Sequence, residues 1–117
     1  CALYNSFISG ADEIAEVPPP QPSLADGLAA SPGIHGPELL RALRASKGTV
    51  VAVTEDEIAA GVGNLGRAGF CVEPTTAVVW AGLQRARNQR LLPVDGVVAV
   101  VLSGNGLKAA QAIDGVL

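Results

Sequence analysis

At 117 residues the chain holds one domain of ordinary size, too short for a full enzyme barrel or a doubly wound enzyme with a lid domain. Apolar residues make up 49%, enough for a core, while charged residues are 16%, well below the usual quarter. A net charge of −3 lacks the basic excess that phosphate neutralisation demands, so no nucleic-acid partner is expected. The apolar runs are far too short to span a bilayer, so no membrane partner is expected either. Residues 1–9 are mixed apolar and suit a short helix. The absence of Met and the start at Cys1 read as a piece of something longer. Val17 to Pro22 carries four prolines, which fix φ and remove amide donors; it is expected to be an irregular strap or linker. The chain thus divides into an N-terminal segment, 1–36, and an α/β part, 37–117.

Pro37 suits a first helical turn and Gly48 a helix stop, with Leu39, Leu40 and Leu43 on one face. Thr49 to Val53 reads as a buried strand. Thr54 and Glu57 form a capping box, and Ile58, Val62 and Leu65 continue a helix to about Ala68. Pro74 opens another helix whose early turns, Ala77 to Ala81, are apolar on every side and expected to be buried. Val97 to Leu102 is an unbroken apolar run, the pattern of a central parallel strand covered on both faces. The predicted fold class is therefore α/β, with parallel strands flanked by helices in three layers.

Cys1 and Cys71 lie far apart with no Cys/His cluster near them, so free thiols are expected, with neither a disulfide scaffold nor a metal site. His35 lies between turn residues and reads as an exposed loop histidine. Gly61, Gly63 and Gly66 match the letters of a dinucleotide-binding GxGxxG. They fall late in a helix already capped at Thr54, where close packing explains them better than a nucleotide does. Ser103-Gly104 follows the apolar run and offers a hydroxyl beside a bare backbone; a ligand site and a simple turn both fit that spacing. Glu73, at the head of a helix, is either an N-cap or a site residue.

Taken together, Val72-Glu73-Pro74-Thr75-Thr76-Ala77 and Val97 through Ser103-Gly104-Asn105-Gly106-Leu107-Lys108 resemble the C-terminal part of the threonine synthase family. Ser23 to Leu28 and Val51 to Ile58 resemble two earlier segments of that family, in the same order. The wider group is the pyridoxal-phosphate enzymes that include tryptophan synthase β, threonine dehydratase and serine racemase. The resemblance implies part of the large domain of a tryptophan synthase β-like fold. It also implies a parent lyase of cytoplasmic amino-acid biosynthesis, converting O-phosphohomoserine and water to threonine and phosphate.

By the same resemblance, Ser103 faces the pyridine nitrogen of the cofactor, with Gly104 and Glu73 beside it. The alternatives are another lyase of the same group, such as threonine dehydratase, or a small non-enzymatic binding module. Neither lysine of the chain, Lys47 or Lys108, sits in the family's Schiff-base context, and Ala109 replaces the family's usual Asp. The expectation is thus a C-terminal fragment with no catalytic residue of its own. It would bind no pyridoxal phosphate alone, would have the missing N-terminal portion of the same enzyme as partner, and would form homo-oligomers.

Overall fold

The computed structural model describes residues 1–15, 22–28 and 35–116. Five α-helices follow in chain order: α1 (Ala2–Ser9), α2 (Gly36–Ala45), α3 (Glu55–Arg67), α4 (Pro74–Asn88) and α5 (Ala110–Asp114). Two 3₁₀ turns, Asp26–Leu28 and Gly106–Ala109, complete the set. The proline-rich strap expected after Glu16 lies almost wholly outside the described residues.

The described residues contain no strand, and the α/β reading is corrected on that point. Residues 49–54 and 97–103 take up neither helix nor strand among the described residues, although β-branched runs favour strands. Val97 is fully exposed and Val101 is 72% exposed, the opposite of a covered central strand. A run of valines encodes an extended backbone, but a strand also needs a ladder partner, and that partner is a non-local property. The one β-type pairing among the described residues is a single antiparallel bridge between Val72 and Asn105. The three-layer parallel architecture is therefore not the structure of this chain.

The chain divides into two compact units. The first draws on the described parts of Cys1–Gln21 and Ala29–Ala52, the second on those of Pro22–Leu28 and Val53–Leu117. In the first, α2 buries Leu40 completely, while Leu39 stays 46% exposed. Arg44 reaches across to the Ala11 carbonyl at 2.6 Å and the Asp12 carboxylate at 3.0 Å. The buried Ser6 hydroxyl accepts the Ala15 N–H at 2.7 Å. Helix α2 ends one residue earlier than its glycine suggests. Lys47, at φ 53°, takes the left-handed position, and the Gly48 N–H closes the cap on the Leu43 carbonyl at 2.8 Å.

In the second unit α3 and α4 pack on each other around Ile58, Val62, Leu65, Val72 and Ala77. Their start signals are local. The Thr54 hydroxyl accepts the Glu57 N–H, and the Glu57 carboxylate accepts the Thr54 N–H at 2.7 Å, the reciprocal capping box. Pro74 stands in the first turn of α4, where a missing N–H costs nothing. The early turns of α4 are less enclosed than their composition suggests. Thr76, Ala77 and Ala81 are buried, but Val79 is 42% exposed.

At Gly61 the two helices are in close contact. A Cβ there would stand 3.0 Å from the Ala77 carbonyl oxygen, so the first glycine of the GxGxxG letters serves helix packing, while Gly66 meets nothing. A third contact closes the unit. The Arg85 guanidinium grips the Glu57 carboxylate through two nitrogens, at 2.7 to 3.0 Å.

Candidate functional site

Three segments of the second unit converge on the first turn of α4. The segment 22–28 is anchored on α3: the Glu55 carboxylate accepts the Ser23 hydroxyl and the Leu24 N–H, each at 2.8 Å. Its turn then brings Gly27 against Thr75, whose Oγ1 would lie 3.0 Å from a Cβ at that position. On another side the Val72–Asn105 bridge lays 104–106 alongside 71–73. The Gly106 N–H donates to the Cys71 carbonyl at 3.0 Å, and the Glu73 N–H to the Gly104 carbonyl at 3.3 Å. The Asn105 side chain accepts the Leu107 N–H at 2.9 Å and starts the 3₁₀ turn that carries Lys108. All four segments that carry the family resemblance thus contribute to one neighbourhood.

Glu73 occupies the N-cap position of α4, but its side chain makes no capping bond. The carboxyl group instead lies over the bare Cα of Gly104, where a Cβ would come within 2.6 Å of Glu73 Cγ and collide with the carboxylate itself. A side chain at 104 would have to displace the Glu73 side chain. Ser103, immediately before it, is exposed. The Gly104 N–H donates to the Thr76 hydroxyl at 2.8 Å, and Thr76 is 3% exposed. The structure therefore brings Glu73 and Gly104 into contact and leaves Ser103 exposed beside them.

Next to this corner is a cleft of about 630 Å³ whose polar lining is Ser23, Asp26, Glu73, Thr75, Lys108 and Gln111. Glu73 is shared between cleft and corner, while Ser103 and Gly104 do not line the cleft. The sequence reading missed Thr76 and Thr75. The signal lay in the quoted Glu-Pro-Thr-Thr string: two hydroxyls following an N-cap can face back toward whatever packs on the helix start.

Cys1 and Cys71 are both free and exposed, and His35 is exposed at the head of α2. Among the described residues no helix is long and apolar enough to cross a membrane.

The sequence profile of the pyridoxal-phosphate dependent enzymes matches residues 2–104, most of the chain, and the chain belongs to that family. Within it, the chain is similar to a threonine synthase from Methanosarcina acetivorans, with 30% identity over 114 residues. That match takes in 97% of this chain and 28% of the relative. No solved structure matches.

The cofactor that names the family can be tested against the corner. A pyridine ring needs a flat approach and a hydrogen-bonding group at its nitrogen. Ser103 offers an exposed neutral hydroxyl. Gly104 offers a backbone with no side chain, tied at both its N–H and its carbonyl. An exposed serine beside an anchored peptide has the neutral donor chemistry that a ring nitrogen requires. The chain's two lysines are elsewhere: Lys47 caps α2 in the first unit, and Lys108 rims the cleft.

Proposed function

We propose that this chain forms the ring-nitrogen wall of the cofactor site of a threonine synthase-type enzyme, one that converts O-phosphohomoserine and water to threonine and phosphate. The observation that carries the reading is the 30% identity to a threonine synthase along 97% of the chain. The convergence of the resembling segments on the start of α4 supports it. Pyridoxal phosphate, when bound, supplies an electron-withdrawing ring that makes the C–H bonds of an attached amino acid acidic.

The chain's own residues have three tasks in this reading. Ser103 holds the ring nitrogen with a neutral hydroxyl, which leaves that nitrogen without a formal charge and moderates the electron demand of the ring. Gly104, with no side chain, makes room for the Glu73 carboxyl group beside Ser103. Glu73 sets a carboxylate at the same edge, limiting how far the ring can slide toward α4. The Schiff-base lysine and the phosphate-binding loop come from the rest of the same enzyme, which is the partner this chain requires. The setting is cytoplasmic amino-acid biosynthesis.

The test uses the protein as expressed from its own gene, supplied with pyridoxal phosphate and O-phosphohomoserine. Release of phosphate with equal formation of threonine is expected. Conversion of threonine to a keto acid, without phosphate release from O-phosphohomoserine, would assign the protein to the dehydratase branch instead.

A further inference from the structure

We infer that Thr76 is a positioning residue for the Ser103–Gly104 corner, fixing the peptide from which Ser103 presents its hydroxyl. The inference rests on reading that corner as the ring-nitrogen wall.

Thr76 and Ser6 are the buried polar residues among those described, and burying a hydroxyl is costly unless it is paired. The Thr76 hydroxyl is paired with the Gly104 N–H at 2.8 Å. That N–H belongs to the peptide joining Ser103 to Gly104, so the bond sets the orientation of the Ser103 carbonyl and, with it, the Ser103 ψ. The carbonyl of Gly104 is held by the Glu73 N–H at 3.3 Å, so the glycine is gripped on both sides from the first turn of α4.

Upstream, the Leu102 side chain packs partly buried against the core, but no backbone hydrogen bond to residues 97–102 is seen among the described residues. Residues 97–102 take up neither helix nor strand, and Val97 and Val101 are exposed. The Leu102 side chain anchors the approach to Ser103, and the hydrogen bond that fixes the Ser103–Gly104 peptide itself comes from α4 through Thr76.

Two roles for Thr76 predict opposite orders of substitution. If it only fills space, valine, with the same shape, is the better replacement and serine leaves a gap. If it positions the corner, serine keeps the acceptor and valine leaves the Gly104 N–H unpaired.

The experiment uses the protein as expressed from its own gene and measures pyridoxal phosphate affinity together with the absorption of the bound cofactor. Thr76→Ser should bind within about twofold of the parent. Thr76→Val should bind roughly tenfold more weakly, as loss of one hydrogen bond to a buried group predicts, with the same direction of absorption change as Ser103→Ala. Thr76→Ala gives the same comparison if the valine variant does not fold. Ala81→Gly, destabilising in α4 away from the corner, should leave affinity unchanged.

If Thr76→Val binds as the parent does while Ser103→Ala is weakened, the role of Thr76 is overturned and the cofactor reading stands. If Ser103→Ala leaves both affinity and absorption unchanged, the corner does not touch the cofactor and both fall together.

Discussion

Gly61 and Gly66 lie in the same helix, α3, one buried and one exposed, and a methyl group should act oppositely at the two. At Gly66 an added Cβ meets nothing within 4 Å, so Gly66→Ala should stabilise by roughly 0.5–1 kcal/mol through helix propensity. At Gly61 the Cβ would press on the Ala77 carbonyl oxygen at 3.0 Å, a backbone atom that cannot swing aside. Overpacking of that kind costs about 1–3 kcal/mol, enough to outweigh the propensity gain. Urea unfolding of the two variants decides it, and a stabilised Gly61→Ala would show that α3 and α4 are less tightly apposed. Gly106 is more constrained still, since its Cβ would stand 2.7 Å from Cys71 Sγ and 2.8 Å from Ile113 Cδ1. None of these differences between glycines could be read from the string, because each depends on a neighbour distant in sequence.

At the scale of the elements, what the sequence expressed locally was legible. The capping box of α3 needed only Thr54 and Glu57, and the start of α4 needed only Pro74. The end of α2 was misplaced by one residue, because Lys47 rather than glycine adopts the left-handed conformation. The valine run at 97–102 misled more deeply, since its pattern specifies an extended backbone but not a partner. Of the candidate site, Glu73 and Gly104 were named from the string and are found in contact. Thr76, which ties the glycine down, was not.

The α3–α4 pair also has a pH signature. The Thr54 N–H, first, and then the Arg85 guanidinium hold the Glu57 carboxyl below the usual carboxylate range. A depressed folded-state pKa means the unfolded chain takes up the proton more readily as pH falls. The contribution is then fully present above the unfolded value, about pH 4.3, and is lost as pH drops through the folded value. Glu57→Gln removes that dependence while keeping a capping-box residue. The stability gap between parent and variant should therefore be constant near neutrality and shrink on acidification below about pH 4. A gap that stays constant throughout would remove Glu57 from the account.

At the scale of the whole molecule, the exposed apolar side chains are unevenly spread. Val94, Val97 and Val101 are 98%, 100% and 72% exposed within a few residues of one another, on a segment whose backbone lacks ladder partners. Contiguous apolar exposure of this kind favours association. The 117-residue chain on its own should self-associate at micromolar concentration, as measured by light scattering, and Val97→Lys with Val101→Lys should shift it toward monomer. A monomeric parent with a single cooperative unfolding transition would mean the segment is tolerated in water.

The chain spans 28% of the threonine synthase it resembles, so the central claim concerns what this portion does for a cofactor site. The most direct measurement is the nuclear magnetic resonance shift of the isotope-labelled ring nitrogen of pyridoxal phosphate, bound to the protein as expressed from its own gene. It should be recorded with Ser103 and with Ser103→Asp. With the neutral hydroxyl in place the nitrogen should resonate as an unprotonated pyridine. With a carboxylate at the same position it should move to the protonated range, because a nearby negative charge favours the protonated ring. An identical shift in both proteins would mean that residue 103 does not meet the ring nitrogen.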